Sequence, residues 1–199
     1  PACGGGVGRG SASPTEGAAE QPAASKPLPS SFWLAVGALE PYKRGDLAIA
    51  AARLARKPIV IAGTGSEEPT LRRLAASDAI FLGRVGDEQL RGLYRASELL
   101  VFPQIEDFGI TAVEAQACGC PVLARAAGGA LDTVIDGVTG GLFDWSGADT
   151  TNLHDAIARV PQRSPGTTAA CRASAERFSE QRFTAGLLAA IDARPRRTS

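Results

Sequence analysis

Leu99-Leu100-Val101-Phe102-Pro103-Gln104-Ile105-Glu106-Asp107-Phe108-Gly109-Ile110-Thr111-Ala112-Val113-Glu114-Ala115 opens on four apolar residues, crosses an acidic loop and enters a segment of helical period. A short, near-continuous apolar run of this kind reads as a strand buried on both faces. Similar runs stand at Phe32-Trp33-Leu34-Ala35-Val36, Ile59-Val60-Ile61-Ala62, Ala79-Ile80-Phe81-Leu82 and Pro121-Val122-Leu123-Ala124. Amphipathic segments lie between them. Leu47, Ile49, Ala50 and Leu54 follow Asp46; Leu71 and Leu74 follow Glu67; Leu90, Leu93 and Tyr94 follow Asp87, which reads as an N-cap; Val113 and Ala117 follow Gly109. Parallel strands need a long crossover, usually a helix, so this alternation predicts an α/β fold, a doubly wound, Rossmann-like parallel sheet. Residues 150–159, 167–177 and 179–193 read as terminal helices packed outside it.

The chain has 199 residues, 44% of them hydrophobic, enough for one domain with one sizeable core. Its 21 basic residues balance 21 acidic ones, so bulk charge points to neither nucleic acid nor an anionic membrane. The basic stretch Arg194-Pro195-Arg196-Arg197 reads as a solvated end. No apolar run approaches the roughly 20 residues a spanning helix needs. The expected location is therefore cytoplasmic, or peripheral to a membrane in a longer enzyme. Cys118 and Cys120 flank one glycine, while Cys3 and Cys171 lie apart, a spacing that fits neither a zinc site nor a disulfide framework. They read as reduced thiols, and no metal or cofactor is expected. Residues 1–30 are rich in Gly, Ala, Ser and Pro and read as a linker, leaving 31–199 as the folded domain. The sequence begins at Pro1 and contains no methionine, which reads as a fragment of a longer protein.

Ligands of doubly wound sheets bind beyond the carboxyl ends of the strands. After the first run, Gly37-Ala38-Leu39-Glu40-Pro41-Tyr42-Lys43-Arg44-Gly45-Asp46 carries two cations just ahead of a helix, where cations are unfavourable unless an anion answers them. Lys43 and Arg44 are thus candidate diphosphate contacts. After the second, Gly63-Thr64-Gly65 permits close backbone approach. After the fourth, Glu106 lies in the loop, while Glu114 lies roughly 7 Å along the helix that Gly109 opens. The free amides of Gly109, Ile110 and Thr111 fall between the two carboxylates and suit a phosphate. An extended ligand with a sugar hydroxyl, a diphosphate and a ribose in a row matches this order. His154 lies far along the chain from these residues and reads as a surface or packing residue. Trp33 and Trp145 adjoin apolar runs and read as core or sheet-edge aromatics.

Glu106 and Glu114, in the form Glu-Asp-Phe-Gly-Ile-Thr-Ala-Val-Glu-Ala, resemble the signature of retaining glycosyltransferases of the GT-B architecture, family four. Flanking segments agree: Pro41-Tyr42-Lys43-Arg44 with Asp46-Leu47-Ala48-Ile49, Phe81-Leu82-Gly83-Arg84-Val85, Ala117-Cys118-Gly119-Cys120-Pro121-Val122, and the stretch from Gly128-Gly129 to Thr139-Gly140. The match runs in unbroken order from Phe32 to Trp145 and is most similar to bacterial surface-polysaccharide mannosyltransferases that use GDP-mannose.

The resemblance implies that the chain is the donor-binding, C-terminal half of a hexosyltransferase. A missing N-terminal domain would then supply the glycan or lipid-linked acceptor site, and the fragment alone would be inactive. It also implies that Glu106 binds the donor sugar and Lys43 neutralises the diphosphate, the two catalytic assignments. Glu114 would bind the ribose; Gly109, Ile110 and Thr111 the phosphate and sugar; Arg84 with Val85 the base. Such enzymes usually work without a metal, through cations and helix dipoles.

One departure stands out: the family usually has an arginine directly after the glycine of the first strand, and here that residue is Ala38. Arg44 is the candidate substitute. A non-catalytic nucleotide-sugar-binding module is the alternative reading. A dinucleotide-dependent oxidoreductase is disfavoured, because its Gly-x-Gly-x-x-Gly turn should follow the first strand and does not.

Overall fold

A computed structural model describes residues 27–145, 147 and 151–192. Most of the expected linker at 1–30, together with Cys3 and the basic tail, lies outside the described residues. The alternation read from the sequence is present in order: β1 (Trp33–Val36), α1 (Gly45–Leu54), β2 (Ile59–Ala62), α2 (Glu68–Ala75), β3 (Ala79–Gly83), α3 (Asp87–Ala96), β4 (Leu99–Phe102), α4 (Ile110–Ala117) and β5 (Val122–Arg125). They are followed by α5 (Ala130–Thr133), β6 (Gly140–Phe143), α6 (Thr151–Arg159), α7 (Pro165–Glu176) and α8 (Glu180–Asp192). A single 3-10 turn, Pro41–Lys43, precedes α1.

The six strands are parallel throughout and lie in the order β3-β2-β1-β4-β5-β6. Two apolar layers sandwich them. On one face Ile59, Ile61, Leu99, Val101 and Leu123 pack with Leu47's neighbours Ala48 and Ile49 of α1, Leu71 of α2 and Leu153 of α6. On the other, Leu34, Val60, Leu100, Phe102 and Val122 pack with Leu93 and Tyr94 of α3 and Ala112 and Ala115 of α4. The alternation of β4 explains this: Leu99 and Val101 face one layer, Leu100 and Phe102 the other, so the run is apolar at every position.

Two details differ from the sequence reading. The sixth strand was not expected, because Gly140 and Gly141 lack strand propensity. Both glycines are needed for close packing: a Cβ on Gly140 would stand 1.8 Å from the Val122 carbonyl oxygen, and one on Gly141 2.4 Å from that of Ala156. Asp87 is not the cap of α3 but its first residue. Gly86 occupies the cap position with extended backbone and no side-chain bond, and Asp87 instead meets the positive end of the helix dipole. Cys118, Cys120 and Cys171 are free thiols, and burial pushes Cys120 up to about 11 and Cys171 up to about 12, so both are protonated packing residues. Arg163 donates to the carbonyls of Tyr94, Ser97 and Cys118 and so ties the amino ends of β4 and β5 together. On α8, Phe183, Leu187, Leu188 and Ile191 form an exposed apolar stripe.

The loops after β1 and β2 touch backbone to backbone. Gly63 has φ 142°, and a Cβ there would lie 1.8 Å from the Gly37 carbonyl oxygen. Gly63→Ala is expected to cost more than about 1 kcal/mol in denaturant unfolding, because the backbone must move. Gly92, in the middle of α3 with open space around it, provides the contrast. Gly92→Ala should stabilise by about 0.5–1 kcal/mol through helix propensity. Equal and opposite signs interchanged between the two variants would contradict the packing described.

Candidate functional site

Between β1 and β4 the order of the sheet reverses, and the chain leaves these two neighbouring strands toward opposite faces, β1 into α1 and β4 into α4. Their loops diverge and open a crevice at the carboxyl edge. Lys43, at the end of the 3-10 turn after β1, and Glu106, in the loop after β4, reach across that crevice and form an ion pair. Their side chains are 21% and 24% exposed, which leaves the pair accessible from solvent but partly desolvated. The same oxygen of Glu106 accepts a bond from Nε2 of buried Gln104 at 3.3 Å.

Backbone packing fixes both partners. The turn carrying Lys43 is held by Leu39, whose N–H donates to the Thr64 carbonyl at 2.9 Å and whose own carbonyl accepts from Glu67 at 2.8 Å. Glu40 bonds the amide and hydroxyl of Ser66 at 3.1 and 2.7 Å. The Glu106 loop rests on the glycine pair before α5: the Gly129 N–H donates to the Glu106 carbonyl at 2.8 Å. A Cβ on Gly128 would lie 2.3 Å from that same oxygen, and one on Gly129 2.3 Å from the Phe108 carbonyl oxygen. Gly109, with φ 83°, turns the chain into α4 over the Phe102 ring. Ile110 and Thr111 follow as the first helical residues, where N–H groups have no partner one turn back. Ile110 is exposed and Thr111 half-buried.

The remaining candidates fall into three places. Exposed Arg84 and half-buried Val85 line a hollow with Val36, Gly37, Ala38 and Thr64, and Lys43 and Gln104 line a second hollow on the same Gly37-Ala38 turn. Glu114 lies in a neighbouring groove with Phe108, Ile110 and Val113 of the α4 side and Arg172 and Glu176 of α7. Glu114 is exposed, because Ala115 turns into the core while Glu114 points out of it. Buried Tyr94 donates to its Oε2 at 3.3 Å.

Arg44 is turned elsewhere. In left-handed backbone (φ 53°), it grips Asp46 with two bonds of 2.9 and 2.8 Å, and its guanidinium lies 5.8 Å from the Trp145 ring. Burial alone would raise the Asp46 carboxyl, but the bonds and charge of Arg44 outweigh it and hold that group below its ordinary value. His154 is a surface residue, and no cluster of metal-ligating side chains occurs among the described residues.

Gln104, Tyr94 and the Gly128-Gly129 support were not singled out as site residues by sequence reasoning. Tyr94 was visible only as an apolar position of a helix, and nothing in the spacing of Gln104 marks it.

The profile of the family described as "Glycosyl transferases group 1" matches residues 19–178. The chain belongs to this family. Two relatives, both D-inositol 3-phosphate glycosyltransferases, come from Mycolicibacterium smegmatis and Geodermatophilus obscurus. The first is 43% identical over 157 residues, covering 73% of this chain and 35% of its own length; the second is 40% identical over 180 residues, covering 80% and 40%. This group 1 glycosyl transferase chain therefore spans well under half the length of these curated relatives. Anabaena Alr3699/HepE, solved in complex with UDP and glucose, superimposes with a TM-score of 0.66 at 22% identity, over 83% of this chain and 49% of that one. The Rossmann-like parallel sheet of this family member is thus shared with about half of that solved chain. No helix among the described residues is long and apolar enough to cross a membrane.

Lys43 and Glu106 generate a measurable coupling. In a double-mutant cycle of Lys43→Ala and Glu106→Ala followed by urea unfolding, the pair is expected to contribute about 0.5–1.5 kcal/mol, falling as salt is added. A coupling of zero at low salt would show that the two groups do not pair in solution.

Proposed function

We propose that this chain is the donor-binding half of a retaining glycosyltransferase that holds a nucleoside diphosphate sugar beyond β1 and β4. The observation that carries the reading is the Lys43–Glu106 pair spanning the crevice beside the amino end of α4. A diphosphate brings more negative charge than one carboxylate, so it competes for Lys43 and releases Glu106 to accept hydroxyls of the sugar. The amides at Gly109, Ile110 and Thr111, at the amino end of α4, add a dipole of the right sign for phosphate and for the charge that grows on the leaving diphosphate. Glu114 is assigned the ribose hydroxyls and Arg84 with Val85 the base, on the strength of the family resemblance and of their positions around this edge.

The donor sugar and base are read at two levels. The sequence resemblance favours a mannosyl group from GDP-mannose. The names of the relatives favour transfer to an inositol phosphate, and the Anabaena neighbour was solved with UDP and glucose. A hexose from a nucleoside diphosphate is the reading common to the sequence resemblance and the Anabaena neighbour. For the acceptor, the relatives favour D-inositol 3-phosphate over the glycan or lipid-linked acceptor expected from sequence. A non-catalytic nucleotide-sugar-binding module has one observation on its side: position 38 is alanine, and Arg44, the candidate substitute cation, is neutralised by Asp46.

Calorimetry with UDP, GDP, UDP-glucose and GDP-mannose tests the donor site. At least one is expected to bind, and Lys43→Ala should weaken that binding about tenfold, the usual weight of a hydrogen bond to a charged group. Ala38→Arg, on the exposed turn beside Lys43, should strengthen it by less than about tenfold, since solvent discounts an exposed contact. Unchanged affinities in Lys43→Ala would remove the first loop from the diphosphate site. In the full-length enzyme, transfer abolished by Glu106→Gln supports the enzyme over the binding module.

A further inference from the structure

We infer that Tyr94 is a positioning residue for Glu114, its phenol holding one carboxylate oxygen so that the other stays open to a vicinal diol of the ligand. The inference rests on the reading of Glu114 as the ribose contact. Glu114 is exposed near the middle of α4, where a free glutamate samples many rotamers. Tyr94 donates to Oε2 of this carboxylate at 3.3 Å, and among the described residues it is the one side chain that does so.

The donor itself cannot drift. Its ring is 1% exposed and packed with Phe32, Leu100, Ala112, Ala115 and Val122 between the sheet and α4. Its backbone is anchored as well, since the Tyr94 carbonyl accepts from Arg163 at 3.0 Å and from Ser97 at 3.3 Å. Burial, and then the Glu114 charge, raise the phenol far above its ordinary value, so it remains protonated and the proton lies on the tyrosine side.

A core that needed only volume would be served by phenylalanine, which avoids burying a hydroxyl. The hydroxyl instead reaches from the rigid layer to the carboxylate in the groove. Holding that group in place before the ligand arrives removes part of the ordering cost of binding.

The test compares the chain with Tyr94→Phe, Glu114→Ala and the double variant, using UDP, GDP and their 2′,3′-dideoxy forms as calorimetric probes. Tyr94→Phe is expected to weaken the bound ribonucleotide about three- to tenfold, to leave its dideoxy counterpart unchanged, and to add nothing in the Glu114→Ala background. Thermal melts confirm that the phenylalanine variant is folded. As a second route that leaves the core intact, Glu114→Gln keeps an acceptor for Tyr94 and should retain more ribonucleotide affinity than Glu114→Ala. Equal loss for ribo and dideoxy probes, or a further loss in the Glu114→Ala background, overturns the positioning role while leaving Glu114 as the ribose contact. No change on Glu114→Ala, or no binding of either UDP or GDP, overturns the ribose reading and this inference with it.

Discussion

A parallel sheet whose order reverses between β1 and β4 cannot close its carboxyl edge there, because the two chains depart toward opposite layers. Everything assigned to the site follows from that constraint. It brings a turn from the first quarter of the domain and a loop from its middle to face each other. The Lys43–Glu106 pair is the local answer to two opposite charges placed across a partly desolvated gap. Neither strand positions the pair by itself; the topology does.

The precision of the edge comes from backbone contacts more than from side chains. Gly63 lies against Gly37, Gly65 against Leu39, Gly128 against Glu106 and Gly129 against Phe108, in each case closer than a Cβ would allow. The four loops are thereby stacked as two pairs, one on each side of the crevice: the loop after β2 rests on that after β1, and the loop after β5 on that after β4, main chain against main chain. Main-chain support of this kind is insensitive to rotamer choice, which suits a site that must hold charged groups in fixed geometry before a ligand neutralises them.

The sheet was legible because each buried strand is apolar at every position and is separated from the next by a segment of helical period. β6 escaped because the packing that makes it possible removed the side chains that would have announced it: Gly140 and Gly141 carry no propensity and no pattern. Glu106, Lys43 and Glu114 were legible as residue types at strand ends. Their partners were not, since Gln104 and Tyr94 come from a loop and a core face, and sequence spacing says nothing of which side chain meets which. Arg44 shows the converse. It is adjacent to Lys43 in sequence, yet left-handed backbone and a carboxylate two residues on turn it toward Asp46 and Trp145. Adjacent positions on a tight turn point to different places, and only three-dimensional structure assigns them.

The pairing of charges around the crevice also bears on how fast a ligand is captured. Lys43 is cancelled by Glu106 and Arg44 by Asp46, and the chain as a whole has a formal net charge of zero. Pairing of this kind weakens the field that Lys43 and Arg44 project beyond the first layers of water, so on the proposed reading these two cations would steer an anionic donor less than unpaired ones would. The full charge of Lys43 would become available only at contact, as a ligand breaks the internal pair.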